Sequence, residues 1–396
     1  MKIANIIYDL DQGGASIALK RINKTINLNK KIYSNIITYK KKDILSKIID
    51  FIKFIIDKIF TKTLILFFKY NIKNTINFNL IDSHLLKKIN NSNSNIINIH
   101  WIGNNSLSLN DIGRINKKVI LTLHDMWPYT AIEHYVDEKY YKKYYSLNSK
   151  KRENFFLNFI FKKKIKFFRN ISYVICTSQW QRNMLALSPV FKNTKKILIP
   201  LPLDFDKWIP IDKNNAKKKF KIKNNCFTIL LPLSNIYANK RKGLNFLITV
   251  LEKIENIKIC LITTNYKKIN FKNKNITHVN INNIDDPKNL KAIYSMSDLF
   301  VMPSKYESFG QTLLEAQACN CPAVVFKNIG GEDLINHKIN GYKANYQDVR
   351  DFKKGILWCY KKFYKKNNLF IRQQAKKKFS DKVISKKYKV FLNKIN

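Results

Sequence analysis

Short apolar runs recur along the chain. Each is closed by glycine, proline or a polar pair and is followed by a stretch with helical spacing. Ile3-Ala4-Asn5-Ile6-Ile7 is the first and reads as a buried strand. It passes through Asp11-Gln12-Gly13-Gly14-Ala15-Ser16 into a helix expected over about 17–26. Comparable runs at 96–102, 119–123, 171–176 and 196–199 read as further strands, and Ser178 is placed to cap the helix after the third of these. The pattern restarts at 227–234 and continues with strands at 257–264, 277–281 and 299–302. Strands alternating with helices are the mark of an α/β chain with parallel sheets. Pro200, Pro202 and Pro210 stiffen the passage between the two series and put a domain boundary there.

One stretch departs from this rhythm. Between about 40 and 73 the chain is apolar but punctuated by lysine, and charges at 47, 50, 53, 57 and 58 recur at three- and four-residue intervals. They predict a helix with one charged face and a wide apolar one. Charge at every turn excludes a transmembrane helix. A basic amphipathic helix can lie on a membrane surface. The plainer expectation is a helix covering the sheet of the first domain.

The most informative run is 297–316. Leu299-Phe300-Val301-Met302 is a short strand that Pro303 ends, and Gly310 opens a helix carrying Leu313, Leu314 and Ala316. Such a turn gathers free N–H groups at the C-terminal edge of a sheet, where a phosphate is well placed. Two carboxylates flank it, Glu307 before the turn and Glu315 within the helix, and are expected at different depths of one pocket. Upstream, Lys240-Arg241-Lys242-Gly243 clusters cations just before a helix, which suits a diphosphate in a dry cleft. In the first half, strand ends deliver His100-Trp101 and His124-Asp125-Met126-Trp127-Pro128 to the edge where α/β proteins place chemistry. His124 beside Asp125 is open to two readings, a satisfied structural pair or a functional histidine.

Composition changes this picture little. The chain has 396 residues, 45% hydrophobic, which suits two domains of about 200 residues each. The formal net charge of +46 suggests an anionic partner, either nucleic acid or a membrane face. Yet only eight of the 73 basic residues are arginine, and Lys, Asn and Ile are abundant throughout, as in a genome-wide compositional bias. The basic, aromatic segment 142–169 has no recognition motif and reads as a solvated helix face, so no nucleic-acid partner is expected. Affinity for anionic lipid is still expected, at about 1 kcal/mol per lysine near a charged leaflet. The six cysteines form no zinc or disulfide framework and read as free thiols of a reducing cytosol. The N-terminal apolar run is too short for a signal peptide. Asp9-Leu10-Asp11 spells a metal-binding triplet but ends the first strand, and Asp204-Phe205-Asp206 shows how easily the triplet arises. No metal is expected.

The run Glu307-Ser308-Phe309-Gly310-Gln311-Thr312-Leu313-Leu314-Glu315 resembles the signature of retaining glycosyltransferases of family 4. Met302-Pro303-Ser304 before it and Cys321-Pro322-Ala323-Val324-Val325 after it strengthen the likeness. The resemblance implies the GT-B fold, with two Rossmann-like domains facing across a cleft and a last helix crossing back to the first. The expected divisions are 1–205 for the acceptor side, 206–375 for the nucleotide-sugar side and 376–396 for that helix. Glu315 would hold the ribose hydroxyls and Glu307 would lie near the donor sugar. Ser308, Phe309, Gly310, Gln311 and Thr312 would face the donor. Lys242 would bind the phosphates with Arg241 beside it, because the family's usual arginine about six residues earlier is replaced by Asn235 and Ile236. His124 would be the cleft histidine, and Gly13, Gly14 and Asp125 would line the cleft.

His-Trp followed by Leu-His-Asp-Met-Trp-Pro resembles a subgroup acting in surface-polysaccharide assembly. That subgroup often continues with Gly-Gly-Cys-His-Tyr, where this chain has Glu133-His134-Tyr135 without the cysteines. Gly330-Gly331-Glu332 resembles the family's Gly-Gly loop. The implied activity is metal-free sugar transfer from a nucleotide-sugar co-substrate to a glycan or lipid-linked acceptor. It would take place in the cytoplasm, with possible peripheral contact to anionic membrane. A binding protein for anionic membrane or nucleic acid, or an inactive paralogue, would keep the fold without the reaction.

Overall fold

The structure, a computed structural model, describes residues 1–11, 13–39, 44–68, 75–149, 154–233, 241–282, 284, 286–366 and 368–395, without the side chains of 44–47 and 68. Asn235, Ile236 and Lys240 therefore lie outside the described residues, as do the two ends of the lysine-punctuated segment. The chain divides into two compact units, one of Met1–Leu201 with Ile384–Asn396 and one of Pro202–Val383.

The first unit holds six strands: β1 (Lys2–Ile7), β2 (Tyr33–Thr38), β3 (Ile96–Ile99), β4 (Lys118–Thr122), β5 (Ile171–Cys176) and β6 (Lys195–Leu198). They form one parallel sheet in the order β2-β1-β3-β4-β5-β6. β3 is buried along its whole length, as is β1 beyond Lys2. A parallel sheet covered on both faces requires this, and it explains why its strands are continuous apolar runs rather than alternating ones. Asn5 in β1 and Asn98 in β3 break those runs. Helix α1 (Gly14–Asn27) follows β1 and buries Ala18, Leu19, Ile22 and Ile26.

Helix α2 (Ile44–Phe68) corrects the expected facing of the lysine-punctuated segment. Its charges do not share a solvent face. Asp50 accepts from the Tyr39 hydroxyl at 2.7 Å, Lys53 is buried and donates to the Asn105 carbonyl at 2.9 Å, and Asp57 accepts from the Asn105 amide at 2.8 Å. Helix α3 (Phe155–Phe167) buries Leu157, Ile160 and Phe161, and with them Lys164.

The second unit repeats the plan with β7 (Phe227–Leu231), β8 (Ile259–Thr264), β9 (Ile276–Ile281), β10 (Leu299–Met302), β11 (Ala323–Phe326) and β12 (Gly341–Ala344). This sheet is parallel in the order β12-β11-β10-β7-β8-β9. Helix α4 (Leu244–Leu251) follows β7, and α5 (Gln311–Ala318) follows β10. Helix α6 (Asp381–Ile395) ends the chain, and from Ile384 onward it belongs to the first unit. There Phe391 packs edge-on to Tyr173 of β5, with ring centroids 5.5 Å apart.

Each sheet has one place where successive connections leave in opposite directions, between β1 and β3 in the first and between β7 and β10 in the second. Loops leaving the C-terminal strand ends there diverge and open a crevice, which is where open α/β sheets bind ligands.

Candidate functional site

In the second unit, the loops after β7 and β10 meet at that divergence. Gly243 stands at φ +76°, before α4, and a Cβ on it would lie 1.9 Å from the Pro303 carbonyl oxygen. Only glycine allows so close an approach. The Lys305 amide donates to the Arg241 carbonyl at 2.8 Å, and the Arg241 guanidinium donates to the Tyr306 carbonyl at 3.0 Å. This stitching sets Lys242 and Arg241 beside Glu307. Lys242 Nζ lies 2.8 Å and Arg241 3.7 Å from the Glu307 carboxylate. Burial alone would raise the Glu307 carboxyl, but Lys242 and Arg241 hold it below the ordinary carboxylate range. The site is a half-buried cationic pair with one internal anion.

The third strand-end loop closes on the same turn. Gly330 donates its N–H to the Glu307 carbonyl at 2.7 Å, and a Cβ there would meet the Ser308 carbonyl oxygen at 2.0 Å. Behind the turn, Gly310 caps α5, whose first N–H groups have no intrahelical acceptor. The Ser304 and Ser308 hydroxyls are buried with no hydrogen-bond partner, which is unusual for a well-packed turn. Phe309 is buried, its ring edge-on to Phe379. Glu315 is buried within α5, and its carboxylate accepts from the Tyr294 hydroxyl at 2.9 Å.

In the first unit a small pocket lies at the ends of β3 and β4, lined by His100, Trp101, His124, Asp125, Trp127 and His134 among others. Asp125 is not the partner of His124. Its carboxylate meets His134 Nδ1 at 2.5 Å and accepts the Trp127 N–H at 3.0 Å. Burial would raise that carboxyl, but His134 pulls it below its ordinary range. His124 pairs instead with His100, Nε2 to Nδ1 at 2.8 Å, the rings near-parallel with centroids 5.1 Å apart. Two N–H groups cannot point at each other, so one ring donates and the other accepts. Behind them the Asn98 amide lies 2.9 Å from His100 Nε2 and donates to Asn5 Oδ1 at 2.9 Å, while the Thr122 hydroxyl donates to Asn98 at 2.9 Å. The two asparagines that interrupt the apolar strands thus anchor the histidine pair. Gly13, at φ +89° before α1, has open space where a Cβ would stand, and Gly14 is exposed.

Burial depresses His124 to about 4, partly opposed by Asp125, and burial together with His124 depresses His100 well below its ordinary value. Both rings are neutral in the fold but titrate near their usual value, about 6.5, once unfolded. As pH falls the unfolded chain takes up these protons first. Their contribution to stability is therefore complete above about 6.5 and is lost progressively toward about 4. Urea unfolding between about pH 7 and about pH 4.5 should show this slope, and His100→Gln/His124→Gln should flatten it. An equal slope in both proteins would assign the acid sensitivity to other groups.

Among the described residues no three His, Cys, Asp or Glu side chains converge as ligands of a metal ion. Comparison with known proteins decides what kind of domain the second unit carries. Residues 215–378 match the family model for glycosyl transferases group 1. The second unit carries a group 1 glycosyltransferase domain. A curated relative of this domain, the GDP-mannose-dependent alpha-mannosyltransferase of Corynebacterium glutamicum, is 40% identical over 67 residues, which are 17% of this chain and 16% of the relative. The matched stretches span 13% of one curated relative and up to 57% of another.

Among solved structures, HepE of Anabaena, in complex with UDP-glucose, superposes with a TM-score of 0.61 over all of both chains at 13% identity. The lipopolysaccharide outer core galactosyltransferase WaaB superposes at 0.58, over 99% of this chain and all of WaaB, at 14% identity. The fold is GT-B.

The group 1 domain brings together Lys242, Arg241 and Glu307, and places Ser308 to Thr312 on the same turn. It gives Glu315 a separate, tyrosine-held position rather than a contact with those cations. Tyr294, His100 as the partner of His124, and His134 as the partner of Asp125 are not legible from motif spacing. The signal for His100 was the pair of polar residues, Asn5 and Asn98, inside otherwise apolar strands.

Proposed function

We propose that this protein is a retaining glycosyltransferase of family 4 that moves a sugar from a nucleoside diphosphate donor to a glycan or lipid-linked glycan in surface-polysaccharide assembly. One observation carries the reading most. A half-buried Lys242 and Arg241, assembled by backbone contacts at the strand divergence of a parallel sheet, stand beside the turn that carries a helix N-terminus and the unpartnered Ser308 hydroxyl. That is an environment for a diphosphate. The GDP-mannose dependence of one relative, the UDP-glucose bound to HepE and the likeness to a lipopolysaccharide outer core galactosyltransferase support the reading.

In this reading the bond from the sugar's anomeric carbon to the β-phosphate oxygen breaks while a bond from the acceptor oxygen to the same carbon forms on the same face. The acceptor proton passes to the departing diphosphate oxygen, and no metal takes part. Lys242, Arg241 and the N–H groups at the head of α5 stabilise the charge that collects on the diphosphate. Glu315, fixed by Tyr294, holds the ribose hydroxyls, and Glu307 orients Lys242 beside the donor sugar. His124, kept neutral by burial, serves the acceptor side, and Gly13, Gly14 and Asp125 line the cleft. The six unpaired, buried cysteines suit the reducing cytoplasm.

A thermal-shift panel of UDP-, GDP-, ADP- and TDP-sugars tests the reading on the wild type and on Glu315→Ala. A ligand that binds only the folded state must raise the melting temperature. The expected result is a rise with one nucleotide class that disappears in the variant. No rise with any of them, in protein shown to be folded, would overturn the assignment.

A further inference from the structure

Helix α2 is turned inside out. Its protein-facing stripe is Asp50, Lys53, Asp57, Phe60 and Leu64, spaced three and four apart, and its polar members are tied to Tyr39 and Asn105. Phe60 and Leu64 complete the attachment, Phe60 lying 5.6 Å from Phe78 between ring centroids. The opposite face is mostly apolar and bare. Phe51, Ile52, Phe54, Ile55, Ile59 and Leu66 are between 42% and 71% exposed. Scattered exposed apolar residues are ordinary, but a contiguous row of this kind along a 25-residue helix marks an interaction surface.

We propose that the outward face of α2 docks the protein on an anionic lipid surface. At 100° per residue, Lys58 and Lys62 project within that face, Lys58 between Phe54 and Phe51 and Lys62 between Phe51 and Ile55. Lys58 Nζ lies 5.1 Å from the centre of the Phe54 ring, its stem along apolar surface. Lysines set within an apolar face suit an interface where rings and aliphatic chains enter the acyl boundary and ammonium groups rise to phosphate headgroups. A net charge of +46 draws the whole chain toward an anionic leaflet and sets two copies against each other, so charge complementarity selects lipid over a second copy. Among the described residues no helix is long and apolar enough to cross a membrane, so α2 lies along the surface. This inference stands independently of the transferase reading, and its assay contains no sugar.

The test is co-sedimentation of the full chain with phosphatidylcholine vesicles, with and without phosphatidylglycerol, across a salt series. Phe51→Ser/Ile55→Ser/Ile59→Ser leaves the charge unchanged and touches only exposed side chains, so its melting temperature should match the wild type. The wild type is expected to bind the phosphatidylglycerol vesicles and the triple variant to bind them on the order of a hundredfold more weakly. Lys58→Gln/Lys62→Gln should weaken binding about tenfold and flatten its salt dependence. Three results would overturn the proposal: no binding by the wild type, equal binding by the triple variant, or a concentration-dependent dimer that the same three substitutions abolish.

Discussion

Lys242→Met is expected to lower turnover of the nucleotide-sugar by about two to three orders of magnitude, the largest loss of any single substitution in the group 1 domain. The ammonium is largely enclosed beside the turn that would hold the diphosphate, the group on which charge would collect in the proposed reaction. The same substitution removes the closest cation from a buried carboxylate, leaving Glu307 with Arg241 at 3.7 Å. Orphaning a buried charge typically costs about 3–5 kcal/mol of stability, and the remaining arginine offsets part of this. The two effects separate in Lys242→Met/Glu307→Gln. That pair should recover most of the melting temperature while remaining inactive, because the neutral amide no longer needs the ammonium but the diphosphate still does. Recovery of both stability and turnover in the double variant would show that Lys242 serves only to neutralise Glu307.

His124→Ala is expected to reduce kcat by about a hundredfold while leaving the thermal shift given by the free nucleotide unchanged. The imidazole spends Nε2 on His100, leaving Nδ1 as the nitrogen not used in that contact. Depression to about 4 keeps the ring neutral at physiological pH, so it acts as a dipole or hydrogen-bonding group and not as a cation. It stands at the end of β4 in the first unit, among Trp101, Asp125 and Trp127, outside the group 1 domain that is proposed to bind the nucleotide. A loss of nucleotide binding together with kcat would contradict that division. Unchanged kcat would make the histidine pair a structural feature of the strand ends.

Much of this was legible in the sequence, and the reason is local. The strands at Leu299–Met302 and Ile96–Ile99 announce themselves because a sheet buried on both faces admits only apolar side chains. The turn between β10 and α5 was legible because Pro303 must end a strand and Gly310 begins the helix. Glu307, Glu315, Lys242 and the Gly330 loop all belong to short motifs whose residues lie near one another in the chain.

What escaped was pairing across long separations. Asp125 and His124 are neighbours in sequence, yet each takes another histidine, because successive residues past a strand end point to different sides. The lysine-punctuated helix shows its period plainly in the sequence, but not which of its faces meets solvent. Charges at 50, 53 and 57 are ordinarily read as a solvent face, but here Tyr39 and Asn105 satisfy them inside and turn the apolar face outward.

The sequence by itself determined the α/β alternation and the motif proposed to hold the diphosphate, since both depend on backbone conformation and on residues within one turn of each other. The tertiary structure decided which buried polar group answers which, and which face of α2 meets solvent. Those depend on partners tens of residues away, whose arrangement is fixed only when the sheets assemble and each buried donor must find an acceptor.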